Sequence, residues 1–126
     1  MKALLAMALT AALTAGPVFA DCHSILPQDA PKIPDGATAT LEDMVAGQKA
    51  VGEYQKAIND YTACIDKEVE DNIAKAGDKL KPKDKEKMQQ VEAQKHNAAV
   101  DQLQSVADRF NEQVKVYKAR TADKKG

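Results

Sequence analysis

The chain has few of the residues that build nucleic-acid interfaces and metal or redox centres. It contains no tryptophan, two phenylalanines, three tyrosines, two cysteines and two histidines in 126 residues. So few aromatic rings leave little surface on which bases can stack. The 18 basic and 19 acidic side chains nearly balance, so no general attraction to nucleic acid or anionic membranes follows. We therefore expect no nucleic-acid partner.

Catalytic signatures are also missing from the sequence. It has no CxxC redox pair, no GxSxG elbow, no glycine-rich phosphate loop and no motif with several histidines. These patterns place a nucleophile, a phosphate cradle or metal ligands at the spacing that their chemistry requires. The carboxylates fall on highly charged helical segments, where they are typically solvated. We therefore expect a protein that is not an enzyme.

Residues 1–20 have the pattern of a secretory signal peptide. Lys2 is followed by an uncharged apolar run, and small residues at Val18 and Ala20 predict cleavage after Ala20. The run is shorter than the roughly 20 residues of a membrane-spanning helix, so we expect no stable membrane insertion. Asp21 stands before the first cysteine, where a lipoprotein signal needs a small residue. The sequence therefore predicts a periplasmic or secreted protein that is not a lipoprotein.

The rest of the chain divides into an arm and a helical region. Three prolines and an Asp-Gly pair fall within residues 21–39, and these residues favour extended or turn backbone. We expect residues 40–121 to form a helical hairpin and residues 122–126 to form a frayed tail.

The helical region carries clear start and stop signals. Thr40 and Asp43 form a capping-box pattern. Apolar residues at helical spacing then predict a helix over about 41–76, which Gly77 ends. A second apolar stripe predicts a helix over about 84–120. The connection is short, so the predicted fold is an all-α, antiparallel two-helix hairpin with an extended N-terminal arm.

The two cysteines, Cys22 and Cys64, predict a disulfide. Exported proteins meet oxidising conditions, and exactly two cysteines remain after the predicted cleavage. The arm is long enough to run back along the first helix from Leu41 to Cys64. Cys64 also lies beside the apolar stripe rather than on it. A disulfide would tether the arm to the helix, and intermolecular pairing or free thiols are the alternatives.

The order of these features resembles a family of small, uncharacterised bacterial envelope proteins. Over roughly the first half of the exported chain, the matching features are the two cysteines, the arm prolines, the sequence IPDG at 33–36, and three residues of the first helix, Met44, Tyr54 and Tyr61. The resemblance implies this architecture and compartment and transfers no activity.

The predicted mature terminus carries a candidate metal site. Cleavage after Ala20 would leave Asp21, Cys22 and His23 as the first three residues. The free amine, two deprotonated amides and a His23 ring nitrogen can surround Cu(II) or Ni(II) in the square-planar geometry that these ions prefer. An exposed histidine beside a disulfide is the alternative.

Glu92 and His96 lie four residues apart on the apolar stripe of the second helix. The first interpretation is a polar break in the helix interface, with Glu92 supporting a partly buried His96. The second interpretation is a contribution to a zinc site. It has less support, because such a site needs three or four protein ligands and this pair supplies two. A pH-sensitive contact between the helices is the third interpretation.

Together these patterns predict a non-catalytic, exported helical protein. Two helices alone bury little apolar surface, and small scaffolds gain stability from a staple or a partner. We therefore expect a module that binds another envelope protein or forms a homodimer. The alternative function is copper or nickel binding through the mature amine and His23.

Overall fold

The protein is described by a computed structural model that covers residues 21–124. The predicted signal peptide at 1–20 lies outside the described residues. Two long helices, α1 (Leu41–Ala76) and α2 (Pro82–Asp123), pack side by side in opposite directions. The predicted all-α hairpin is therefore confirmed.

The helix ends differ little from the sequence expectations. α1 starts at a capping box, because Thr40 Oγ1 accepts from Asp43 N at 3.1 Å and Asp43 Oδ2 accepts from Thr40 N at 2.8 Å. The hydrogen bond from Thr40 N and a second one from the Thr40 hydroxyl, at 2.7 Å from Asp43 Oδ2, hold the pKa of the Asp43 carboxyl below its ordinary value. α2 already begins at Pro82, which suits the first helical turn because its missing N–H has no partner to lose there. It continues to Asp123, slightly beyond the predicted end.

Glycine allows the chain to leave α1. Gly77 has φ 51°, a left-handed conformation that other residues avoid, and its N–H donates to the carbonyl of Ile73. A single 3-10 turn at Gly77–Lys79 then leads to α2.

The interface between the helices follows a repeat of alternating three- and four-residue steps, which is the spacing of coiled-coil contacts. Ile58 of α1 and Val106 of α2 are the most deeply buried large side chains, at 1% and 2% exposure. Around them lie two buried clusters made of Cys22, Tyr54, Ile58, Tyr61, Ile65, Ala99 and Val106, and of Ala39, Met44 and Phe110.

The arm lies in one of the two long grooves between the helices and is fastened at both ends. A disulfide joins Cys22 to Cys64, with Cα atoms 5.7 Å apart, so the predicted tether is confirmed. At the other end, Gln113 Oε1 accepts from Gly36 N at 2.8 Å, and the Arg120 guanidinium donates to the carbonyl of Ala39.

The arm is less extended than the prolines suggest. Residues Cys22–Ile25 form a 3-10 turn, in which the carbonyl of Asp21 accepts from Ser24 N. A second turn at residues 36–38 directs the chain into α1, and the carbonyl of Asp35 accepts from the N–H groups of Thr38 and Ala39. Local turn chemistry therefore overrides extended backbone at both ends.

Two glycines let the arm approach the helices closely. A Cβ on Gly36 would lie 2.1 Å from the backbone oxygen of Gln113. A Cβ on Gly47 would lie 2.7 Å from Pro34 and 3.1 Å from Phe110. Both positions therefore require the absence of a side chain.

Within residues 21–124, neither helix has a stretch long and apolar enough to cross a membrane.

Candidate interaction face

The arm covers only one side of the hairpin. Two parallel cylinders leave a groove on each side of their line of contact. The arm occupies one of these, which we call the arm groove. Its surface retains a depression of about 600 Å³, where Pro31 and Pro34 of the arm meet Ala46 and Ala50 of α1. Residues on the opposite flank of each helix therefore face outward without the arm over them.

We call this second side the open face. At 100° per residue, α1 contributes to it a stripe made of Leu41, Val45, Gln48, Gly52, Gln55, Asn59 and Thr62, of which Thr62 is buried and the others are exposed. α2 contributes a parallel stripe made of Ala93, Asn97, Val100, Gln104, Ala107, Asn111 and Val114. None of these fourteen side chains is ionisable.

The absence of charge on the open face contrasts with the outer flank of α1. There, ion pairs repeat at four-residue spacing, from Lys49 to Glu53 at 3.8 Å and from Lys56 to Asp60 at 2.7 Å. Because charged residues make up 29% of the chain, an uncharged strip about 32 Å long on both helices is unusual. It resembles the core of an interface, where charged residues are depleted.

Apolar side chains remain exposed on the open face. Leu41 is 65% exposed, Val45 58% and Val100 43%. They account for half of the six large apolar side chains that are exposed among the described residues. Single exposed apolar residues are ordinary, but a group of them aligned on one strip indicates a contact surface.

Gly52 lies near the middle of the open face. It is exposed inside a helix, and a Cβ at this position would meet no atom within 4 Å. Glycine costs roughly 1 kcal/mol relative to alanine in a helix, and packing within the hairpin gives no reason for it. A second helix crossing at this point would give one.

Glu92 and His96 are both half-buried, as expected on the helix interface. The main partner of Glu92, however, is Asp66 of α1. A hydrogen bond shared with the Asp66 carboxyl, followed by desolvation and by the charge of Asp66, raises the pKa of Glu92, and His96 lowers it to a smaller extent. The pair Glu92–Asp66 is therefore an acidic contact between the helices that the sequence pattern did not predict.

Metal ligands do not converge within the described part of the chain. In residues 21–124, no three or more His, Cys, Asp or Glu side chains lie close enough together to hold a metal ion. Asp66 contacts Glu92, but these two carboxylates and His96 do not form such a group, so the structure adds no support to the zinc interpretation.

The predicted copper-binding tripeptide lies at the disulfide end of the arm. The side chain of His23 is exposed, and Asp21 Oδ1 accepts from His23 N at 3.1 Å. Asp21 has ψ 98°. In a planar chelate, the Asp21 nitrogen and the Cys22 amide nitrogen would instead lie on the same side of the Asp21 Cα–C bond. Binding would therefore rotate Asp21 and replace that hydrogen bond.

Sequence reasoning missed the open face, although its signal is present in the spacing. In each helix, one side of the apolar stripe is bordered by uncharged residues. These borders run from Leu41 to Thr62 in α1 and from Ala93 to Val114 in α2, so they are equal in length. What the sequence does not show is which flank the arm covers.

Comparison with known proteins assigns no family. No protein-family model matches this chain, and comparisons with curated proteins and with solved structures found no significant match. The resemblance to small envelope proteins therefore stays a prediction.

Proposed function

We propose that this chain is a non-catalytic, exported helical protein that acts by binding protein, either another envelope protein or a copy of itself. The observation that carries the proposal is the open face, a strip of uncharged and partly apolar side chains on both helices. Interfaces of this composition bind through packing and amide hydrogen bonds.

The way the hairpin is held supports this function. The disulfide at one end and the Gly36–Gln113 and Ala39–Arg120 hydrogen bonds at the other end fix the arm along the hairpin. A surface that is already rigid loses little conformational entropy when a partner binds. The arm covers the arm groove except for the depression beside Pro31 and Pro34, so the open face is the side on which both helices remain uncovered.

Export is part of the proposal. The disulfide between Cys22 and Cys64 suits an oxidising compartment, because thiols are kept reduced in most cytosols. The signal-peptide pattern in residues 1–20 points the same way. Together they favour a periplasmic or secreted location.

Copper or nickel binding is a second candidate function. The exposed ring of His23 favours it, because the imidazole can turn toward a metal without leaving a packed site. The other three donors would be the amine of a chain that begins at Asp21 and the amides of Cys22 and His23. Disulfide formation at Cys22 uses its sulfur and leaves its amide nitrogen present for this chemistry.

Native mass spectrometry of the protein purified from its producing cells, without chelators, distinguishes the two functions. The interaction function predicts a dimer or a stoichiometric protein complex that Gly52→Glu weakens and His23→Ala leaves intact. The metal function predicts one copper or nickel ion per chain that His23→Ala removes. A metal-free monomer with no stoichiometric protein partner would contradict both proposals.

A further inference from the structure

We propose that the open face binds a second copy of this chain, with the two hairpins running in opposite directions and a two-fold axis passing beside Gly52. This inference rests on the proposed interaction function and names its partner. Four features of the molecule support it: the side-chain chemistry of the face, the charges at its ends, the position of Gly52 and the available area.

Side-chain chemistry favours a second copy over a different protein. In a two-fold interface each residue near the axis meets its own equivalent, so the side chains must be able to pair with themselves. Amides meet this condition because each carries both a donor and an acceptor. Gln48, Gln55 and Gln104 surround the centre of the face, and they alternate with small or apolar residues.

Gly52 lies at the centre of the proposed interface. The Tyr54 hydroxyl lies 3.4 Å from Gln102 Oε1, and Gly47 lies beside Phe110. These contacts set the register of the helices and place Gly52 level with Gln104. A residue without a side chain at the crossing point lets the two copies of α1 approach closely, as small residues do in other helix pairs.

Charges at the ends of the open face select the antiparallel arrangement. Asp66 follows the uncharged stripe of α1, and Lys118 follows the stripe of α2 at the opposite end. Each lies 14 residues, about 21 Å, beyond the level of Gly52. Opposed hairpins therefore bring Asp66 of one copy to the same end as Lys118 of the other. Hairpins in the same direction would place like charges at each end.

The available area is sufficient for a dimer. The open face is about 32 Å long and about 20 Å wide, the width of two adjacent helices. Face-to-face contact would therefore bury about 650 Å² on each copy, or about 1,300 Å² in total, within the range of specific protein interfaces. The product is a four-helix bundle with one arm on each outer side.

The first test is sedimentation equilibrium on the oxidised chain from residue 21, over a wide concentration range. The wild-type chain is expected to dimerise. Gly52→Glu should raise the dissociation constant at least about tenfold, because two carboxylates would be buried without partners. It should leave the hairpin folded, because nothing lies within 4 Å of that position. Gln94→Glu, an equal charge change on the exposed outer flank of α2, should have no such effect.

The second test is oxidative cross-linking, which reports the geometry. Gly52→Cys is expected to cross-link to its own copy, since a two-fold axis beside residue 52 brings the two Cα atoms within disulfide reach, about 4–7 Å. Ala63→Cys, 11 residues further along α1, should not cross-link, because the two copies of that residue lie on opposite sides of the axis. Cross-linking between Gly52→Cys and Gln104→Cys chains instead would indicate parallel hairpins and overturn the arrangement.

The outcomes separate this inference from the function on which it rests. A wild-type chain that stays monomeric throughout, or a dimer that Gly52→Glu leaves unchanged, overturns the two-fold dimer. In the monomeric case, the interaction function stands only if a stoichiometric partner protein binds the wild type and Gln94→Glu but not Gly52→Glu. If the wild-type chain neither dimerises nor binds such a partner protein, the interaction function is overturned as well.

Discussion

Removal of the disulfide is the most informative perturbation of the fold. Reduction, or the double variant Cys22→Ala/Cys64→Ala, releases the arm at one end. The two cysteines are 42 residues apart in sequence. Closing a loop of that length lowers the entropy of the unfolded chain by an amount equivalent to about 4 kcal/mol. Domains of this size have about 5–15 kcal/mol of stability in total, so the expected loss is a large share of it.

The hairpin itself should remain folded after reduction, because most of the buried contacts lie between α1 and α2. The effects should also differ along the arm. Without the disulfide, the residues near Cys22 are no longer bonded to α1, so the amides at residues 22–26 should exchange rapidly with solvent. Near Gly36 the hydrogen bond to Gln113 persists, and Ile33 still packs against both buried clusters. Amides at residues 36–39 should therefore keep most of their protection.

Thermal unfolding followed by circular dichroism, combined with hydrogen exchange, tests this reasoning. A loss of about 4 kcal/mol corresponds to a fall in Tm of roughly 15–30 °C for a domain of this length. The reduced wild type and the double variant should agree, which controls for the substituted side chains. A fall of less than about 5 °C, or equal loss of protection along the whole arm, would refute the assigned role of the disulfide.

Three further predictions concern individual residues, and a fourth concerns the terminal tripeptide. Gly36→Ala should destabilise the protein by about 1–3 kcal/mol in urea unfolding, because its Cβ would clash with the Gln113 backbone. Gly52→Ala should instead stabilise the monomer by roughly 1 kcal/mol at low concentration. The raised pKa of Glu92 means that its proton stabilises the folded state fully below the ordinary value of 4.5, and this contribution is lost as pH rises through the folded pKa. Glu92→Gln should remove that decline from a series of unfolding curves, whereas a decline that persists would contradict it. In a chain that begins at Asp21, isothermal titration should detect one Cu(II) site that His23→Ala abolishes, and binding that survives this change would exclude the terminal chelate.

Much of the fold follows from local patterns. The capping box at Thr40, the stop at Gly77 and the helical spacing of apolar residues act over a few residues, so they can be recognised without knowing the rest of the structure. The sequence did not predict that Gln113 and Arg120 of α2 hold the arm. Contacts between distant parts of the chain leave no local pattern.

The polar contacts between the helices were less predictable for the same reason. Glu92 was expected to support His96, its neighbour on the same helix. Its main partner is instead Asp66, which faces it from α1. The pairing depends on the register of the two helices, and that register is decided by packing along the whole interface.

The amino-acid sequence by itself determined the two helices, their start and stop signals and the two cysteines that can tether the arm. These features depend on backbone preferences and on the chain lengths between residues, which are local properties. Only the tertiary structure decided that the arm fills one groove, where Gly36 fits against Gln113 and Gly47 against Pro34. That choice leaves the opposite flank uncovered, with Gly52 near its centre, because the arm can occupy only one side of a two-helix hairpin at a time.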